Sequence, residues 1–210
     1  QSEKVFVPLL VFALLILYWK KIIALPKRLL VITCLTTLLV CAPFFYSLAA
    51  DSSYLNRAKG VSIFSQQTEL LKQDHVKLLD SQASGDFLGE VLYNRRVTYL
   101  REVFAGYLAH YNFNWLFVLG DLPRHHAPDM GLLYLWEAPF FFLGIYFLLF
   151  GKFPKRTKWL LFTWFLIAPI PASITNGVPH AVRTINFLPT FQVFVAIGLF
   201  TTILFISTLK

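Results

Sequence analysis

Long apolar runs constrain this chain more than any other feature of its sequence. Five of them occur, at 5–19, 29–50, 131–151, 159–174 and 187–209. A helix that crosses the hydrocarbon core of a bilayer needs about 20 mostly apolar residues. The second, third and fifth runs reach that length, whereas the first and fourth are shorter and Pro169 and Pro171 interrupt the fourth, which we expect to bend. The sequence therefore predicts an all-α polytopic membrane protein with about five transmembrane helices.

The charged residues are few and unevenly placed. Only 14% of the 210 residues are charged, whereas soluble domains average about 25%. Nine cations with no carboxylate among them follow the first, third and fifth runs: Lys20, Lys21, Lys27, Arg28, Lys152, Lys155, Arg156, Lys158 and Lys210. Because Lys and Arg accumulate in cytoplasmic loops, these positions predict the cytoplasmic face. The net charge of +8 then reflects topology and requires no nucleic-acid partner.

The longest polar segment, 51–130, has eight Lys or Arg and nine Asp or Glu, and we place it outside the cytoplasm. Apolar residues spaced by three and four predict amphipathic helices at 65–82 and 87–111, lying at the membrane interface. Arg101 in the second of them would face headgroups or substrate phosphates. The chain thus divides into two transmembrane helices with a basic loop (1–50), the outer segment (51–130) and three further transmembrane helices (131–210).

The outer segment ends in a loop, GDLPRHHAPDMG at 120–131, that gathers titratable side chains directly before an apolar run. Its prolines and flanking glycines exclude a regular helix. Arg124 suits bidentate recognition of a phosphate; alternatively it pairs with Asp121 or Asp129 in an ordinary solvated loop. Neighbouring side chains of an extended backbone point in different directions, so we do not expect His125 and His126 to share a metal ion.

Glu137 stands six residues into the third apolar run. An ionisable group within a span costs roughly 2.5–3.5 kcal/mol on insertion scales. We therefore expect it either to line a pocket beneath the loop, accepting from Arg124 or Arg183, or to reach the headgroups.

The last outer connection, 175–189, has His180, Arg183 and Asn186 at every third position. They share one face if a helix begins near Pro179, and the N–H groups at its start would favour an anion. Two loops that each contain His and Arg therefore predict a receptor for a phosphorylated headgroup.

Three stretches resemble bacterial GT-C membrane glycosyltransferases, the relatives of the protein O-mannosyltransferases and of the lipid A aminoarabinose transferase. They are VSIFS, the block from YLREVF to LYLWEAPF, and APIPASITNGVPHAVRTINFLP. The likeness covers most of residues 40–200. Its most specific part is GD…RH…GLLYLWE, and PHAVRTINFLP is similar to the family's Arg-aromatic-Leu-Pro element before a late span.

The resemblance implies an enzyme of the bacterial plasma membrane whose active face lies outside the cytoplasm. It would transfer a hexosyl or pentosyl group from a polyprenyl-phosphate carrier to a glycan, lipid or protein acceptor. The carrier phosphate would be held by Arg124 and Arg183, with a hydrogen bond from His125 or His180 and with Glu137 orienting these groups. Asn186 completes this set, and a second set of candidates comprises Asp121, His126, Asp129 and Arg101.

The resemblance also limits what this chain can supply. The family's catalytic base, an acidic residue in an early outer loop, has no counterpart here, and five spans that end inside would begin outside. We therefore expect these residues to be the C-terminal part of a longer protein. No cofactor is assigned, and a divalent metal in the longer protein stays open.

Two other classes stay open as well. Glu137 within a run and the proline-interrupted fourth run are compatible with a fragment of a transporter or lipid flippase. A purely structural subunit would leave the Arg and His residues without a role. The large outer segment and the concentration of charge at one face favour the transferase.

Overall fold

A computed structural model of the chain describes residues 2–50, 56, 59–65, 68–122, 125 and 127–209. The chain is 77% helical, and the described residues contain no strand, only one isolated bridge between Ser62 and Thr175. The α-helices whose bounds lie within the described residues are α1 Glu3–Ile23, α2 Lys27–Ala50, α3 Glu69–Ser84, α4 Phe87–Leu92, α5 Arg95–Ala109, α6 Phe113–Phe117, α7 Glu137–Phe150, α8 Lys155–Ile167, α9 Ile170–Ser173 and α10 Leu188–Thr208. The predicted all-α class is confirmed.

Three helices among the described residues are long and apolar enough to cross a membrane. They are α1, the Lys27–Ser47 part of α2, and Val182–Thr208, which joins a 3-10 helix (Val182–Phe187) to α10. The prediction of five spans is not confirmed, because α7 begins only at Glu137 and has 14 residues, while α8 has 13. At 1.5 Å per residue they extend about 20 Å, less than the roughly 30 Å of hydrocarbon.

The core of the molecule is the pair formed by α7 and α10. The ring of Phe141 lies 5.1 Å from that of Phe191 and 5.9 Å from that of Phe194, and Gly144 approaches the backbone of Phe194. Helix α8 runs antiparallel to α7, as the Phe141–Phe165 and Leu149–Lys158 contacts show, and antiparallel to α10, because Phe165 meets Phe187 and Phe162 meets Phe194. Helices α7 and α10 therefore run in the same direction. Gly198 similarly lies against the backbone of α7. Glycine at both positions lets the helix backbones touch, as in membrane helix pairs.

Helices α1 and α8 run antiparallel and bring two basic connections to one end of the bundle. Phe6 packs against Trp164 at one end of this pair, with ring centroids 6.1 Å apart. At the other end the ring of Tyr18 lies 5.9 Å from Lys21 Nζ and 5.7 Å from the guanidinium carbon of Arg156. The connections after α1 and after α7 therefore share one end, and the connection before α10 lies at the opposite end.

The predicted outer helices form, with one break. Helix α3 begins after Thr68, whose side chain accepts from the Leu71 amide. The expected single helix 87–111 is instead α4 and α5, because the side chain of Asn94 accepts from the Arg96 amide and starts a new helix there. An interfacial, amphipathic role for these helices is not confirmed.

Helices α3 and α5 are joined by a buried carboxylate. Asp74, 1% exposed, accepts from the Thr98 hydroxyl and from Arg101 Nη1, both at 2.9 Å. Arg101 Nη1 thus forms an ion pair between α5 and α3, while 49% of its side chain is exposed. Its predicted contact with headgroups or phosphates stays a prediction.

Candidate functional site

The loop 120–131 is anchored to the buried helix α6, and its described residues are non-helical, as predicted. Gly120 adopts a φ of 69°, which favours glycine. At the far end a Cβ on Gly131 would lie 2.4–2.5 Å from the backbone of Leu116 and Phe117, and the Leu133 amide donates to the Leu116 carbonyl at 2.8 Å. Both ends of the loop are therefore fixed where α6 packs into the core.

Asp121 is the centre of the site. Its Oδ2 accepts from His125 Nδ1 at 2.9 Å and from the Ala181 amide at 2.7 Å, and lies 3.8 Å from His180 Nδ1. Its side chain is only 7% exposed. One carboxylate oxygen thus joins the loop before α7 to the connection before α10.

The environment keeps Asp121 ionised. Burial alone would raise the pKa of its carboxyl group, but hydrogen bonds from the Ala181 and Leu122 amides and from His125 outweigh burial and place the pKa below its usual value. The site therefore holds a buried negative charge at neutral pH, and cationic or proton-donating groups are favoured beside it.

His125 and His180 stack on each other next to this charge. Their ring centroids lie 4.5 Å apart with planes inclined by 22°, and their side chains are 12% and 15% exposed. Both turn Nδ1 towards Asp121 Oδ2. The two stacked rings therefore present the same kind of nitrogen to one carboxylate oxygen.

His110, which was not among the predicted site residues, contacts the backbone of His180. Its Nδ1 donates to the Gly106 carbonyl at 2.7 Å and its Nε2 accepts from the His180 amide at 3.3 Å. The ring is fully buried, and this burial lowers the pKa of His110 to about 4. A neutral ring can accept from the amide, so burial and hydrogen bonding agree. In the sequence, the one indication of His110 is its position at the end of the predicted helix 87–111, in YLAHY.

An apolar cavity of about 310 Å³ adjoins the cluster. His125 forms part of its wall, beside the backbone that carries Ala181. The rest is almost entirely apolar: Trp115, Leu116, Ala127, Met130, Gly131, Leu132, Leu133, Val182, Thr184, Ile185, Phe187, Leu188 and Phe191. A mostly apolar pocket with a few polar groups at one side is typical of sites that bind small molecules.

Glu137 does not take the position predicted for it. It is 6% exposed, and its Oε2 accepts from the Tyr134 amide at 2.9 Å. Residues 131–136 are not helical, and Glu137 is the first residue of α7, where its carboxylate closes a local turn with Tyr134 at the helix end that favours negative charge. The buried side chain does not extend towards headgroups, and Arg183, one of its two predicted partners, donates to Thr175 and Asn176 instead. The other predicted partner, Arg124, lies outside the described residues.

Arg183 and Asn186 make bonds within the scaffold. Arg183 Nη1 donates to Thr175 Oγ1 at 2.7 Å and to the Asn176 carbonyl at 2.6 Å. Asn186 donates to Glu3 near the start of α1, and its carbonyl accepts from Trp164 at 2.8 Å. The expected helix start near Pro179 is a 3-10 helix from Val182, and α10 begins only at Leu188, so Arg183 does not stand at an α-helix N-terminus.

Of the remaining predicted residues, Asp129 is exposed with a φ of 58°. Arg124 and His126 lie outside the described residues. The shared phosphate site of Arg124 and Arg183 therefore stays a prediction, while His125, His180 and Asp121 are brought together.

No protein-family model, curated protein or solved structure matches this chain. An ionised aspartate holding two histidines beside an apolar cavity can orient a proton donor, bind a cation, or bind the polar end of an amphipathic ligand.

Proposed function

We propose that this chain is part of a membrane glycosyltransferase that moves a sugar from a polyprenyl-phosphate carrier to an acceptor outside the cytoplasm. The observation that carries the proposal is the junction, at His125, of the apolar cavity with the Asp121 cluster. A polyprenyl phosphate joins a hydrocarbon tail to an anionic headgroup. It therefore needs an apolar and a polar surrounding side by side.

The cavity is continuous with apolar surface that would face lipid. Val182, Ile185 and Leu188 contribute to its wall and are 55%, 58% and 44% exposed. In a bilayer such a rim would lie against acyl chains, so a carrier could enter from the side without leaving the membrane. About 310 Å³ accommodates the headgroup-proximal part of the tail, and the remainder would stay in lipid.

The cluster would act on the leaving group. In the transfer, the bond between the anomeric carbon and the phosphate oxygen breaks, its electron pair stays on the phosphate, and the acceptor oxygen forms the new bond. Asp121 accepts from Nδ1 of His125, so Nε2 is the nitrogen through which His125, in its imidazolium form, would donate to that phosphate and stabilise its growing charge. The base that takes the acceptor's proton is not assigned to a residue of this chain.

The two arginines receive different roles. Arg124 directly precedes His125 and remains the proposed phosphate ligand, because its planar guanidinium can bind two phosphate oxygens. Arg183 is proposed as a positioning residue, because it fixes Thr175 and Asn176 in the connection that carries His180.

The orientation of the site follows from charge. Lys21 and Arg156 meet at Tyr18 at the end of the bundle opposite the cluster. If the basic end is cytoplasmic, as the positive-inside rule predicts, the cluster faces outward. In the bacterial plasma membrane this would be the periplasmic or extracellular side.

The test is transfer by the full-length protein in proteoliposomes with labelled polyprenyl-phosphate sugars. His125→Ala should lower transfer about 10²–10³-fold, the usual range when a group that stabilises developing charge is removed. The matched control is His75→Ala, which removes an exposed histidine on α3. Thermal unfolding of both variants shows whether the fold is retained.

Equal loss in both variants, or full transfer by folded His125→Ala, would contradict the assignment. The transporter alternative has its own signature, since a flippase would move labelled carrier between leaflets without forming a glycosylated product.

A further inference from the structure

The cluster at Asp121 has the composition of a metal site. Each of Asp121, His125 and His180 offers a ligand atom, and these atoms all lie within 4.8 Å of one another. We infer that Asp121, His125 and His180 bind one divalent transition-metal ion, with Zn²⁺ as the preferred ion. Imidazole nitrogen and carboxylate oxygen are the ligand types of zinc sites with three protein ligands.

The distances fit with small adjustments. Zinc bonds of about 2.0–2.1 Å in a tetrahedron place ligand atoms roughly 3.3–3.4 Å apart. His125 Nδ1 and His180 Nδ1 lie 2.9 Å and 3.8 Å from Asp121 Oδ2. One distance is slightly shorter and the other slightly longer than the ideal, so a small rotation of each ring would bring both nitrogens to ligand positions.

The charges favour a cation at this point. An ionised carboxylate and two stacked rings direct acceptor atoms to one place, and a metal ion would replace the proton between His125 and Asp121. A single divalent ion would lie between the buried carboxylate and the two ring nitrogens, and it would use one lone pair of each ring.

The ligands are held by a second set of bonds, as metal ligands usually are. The Ala181 amide donates to Asp121 Oδ2. The His180 backbone is fixed by His110, which is itself held by the Gly106 carbonyl. The site therefore exists before any ion binds, and ion binding would require little reorganisation.

Three protein ligands leave a fourth position. His125 forms part of the cavity wall, so a fourth ligand could come from the cavity side as a water molecule or an anionic oxygen. This is the arrangement of zinc sites that act on ligands, whereas purely structural zinc sites are closed by four protein ligands. The inference does not depend on glycosyl transfer, because metal binding can be measured without any sugar substrate.

The test uses the full-length protein, purified in detergent without a histidine tag and treated with a chelator. Cys34→Ser and Cys41→Ser form the background, so that thiolates of the chain's two cysteines cannot bind the ion. Zn²⁺ is titrated in competition with a chromophoric chelator, and Co²⁺ is added separately as a spectroscopic probe. We expect one ion per site and visible Co²⁺ bands of a low-coordinate site with nitrogen ligands, which Zn²⁺ abolishes.

Variants then locate the ion. His180→Ala and Asp121→Asn should each weaken Zn²⁺ binding about 100-fold or more, since removal of outer-shell partners alone costs about 10–100-fold. His75→Ala is the control and should bind like the background protein.

Two results would overturn the inference: a chelator-treated protein that gives no Co²⁺ bands, or Zn²⁺ binding that persists unchanged in folded His180→Ala. If the variants do not fold, the Co²⁺ spectrum of the unmodified cluster decides alone. Transfer by a protein that binds no Zn²⁺ would retain the transferase without the metal, whereas Zn²⁺ binding by a protein that shows no transfer would retain this inference and contradict the proposed function.

Discussion

Replacement of Gly144 by alanine is the sharpest test of the helix packing. An added Cβ at this position would lie 1.8 Å from the carbonyl oxygen of Phe194. Ordinary van der Waals contact begins near 3.4 Å, so the backbones of α7 and α10 must separate by about 1.6 Å. The obstacle is backbone and cannot rotate away, as the end of a flexible side chain could.

The magnitude follows from two opposing effects. Alanine gains up to about 1 kcal/mol over glycine in helix propensity. Overpacking of a close-packed core costs about 1–3 kcal/mol and sometimes more, and a backbone clash this short belongs at or above the upper end. Separation of the helices would also loosen the ring contacts of Phe141 with Phe191 and Phe194. We expect a net loss of about 2–3 kcal/mol in the free energy of unfolding.

The assay is thermal unfolding in detergent, followed by tryptophan fluorescence. A loss of this size should lower Tm by about 4–12 °C in a chain of this length. Gly60→Ala is the matched control, because a Cβ there would meet no atom within 4 Å; it should leave Tm unchanged or raise it slightly. If Gly144→Ala unfolds at the same temperature as Gly60→Ala, the parallel α7–α10 contact is wrong.

Three further outcomes are expected. Arg101→Ala should lower the unfolding free energy by about 1.5–3 kcal/mol, because it removes a charge-assisted hydrogen bond to buried Asp74; chemical denaturation beside exposed Arg96→Ala checks this. Arg183→Ala should increase proteolysis of the connection before α10, and Arg183→Lys should restore protection only partly, because lysine lacks the fork geometry. In chelator-treated protein, the free energy of unfolding should fall as the pH drops from about 6.5 to 4, by up to about 1.4 kcal/mol per pH unit. The reason is that folding lowers the pKa of His110 to about 4, so in this range the unfolded chain binds a proton at His110 that the folded protein does not bind. His110→Gln should flatten that part of the pH profile of Tm.

The membrane helices could be predicted because they depend on few physical requirements. A run of some 20 apolar residues must satisfy its own backbone hydrogen bonds in lipid, and a helix does so locally. The predicted second and fifth runs accordingly match α2 and α10 within two residues at each end. Helix α1 extends beyond its predicted run to 21 residues, because Glu3 and Lys20 are compatible with helix at the ends of a span.

The start of α7 could not be predicted in the same way. Residues 131–136 are as apolar as the helix that follows, so hydropathy gives no boundary there. The boundary comes from tertiary packing: Gly131 lies against the backbone of α6, and the Leu133 amide is taken by the Leu116 carbonyl. The same composition predicts Glu137 as a charge within a span, although it is the first residue of α7 and follows the non-helical residues 131–136.

The centre of the site was hidden from sequence for a different reason. His125 and His180 are separated by 54 residues that include α7 and α8, and only the parallel packing of α7 with α10 brings the loops at their starts together. Asp121 stood in the sequence as one of three partners for Arg124, since a carboxylate in a polar loop carries no sign of burial. Its importance comes from the backbone amides of Leu122 and Ala181, which donate to it, and every residue other than proline carries such a donor. The residue types thus indicate which two loops contain titratable side chains. They do not identify Asp121 as the residue that joins these loops, because that depends on where the fold places backbone amides.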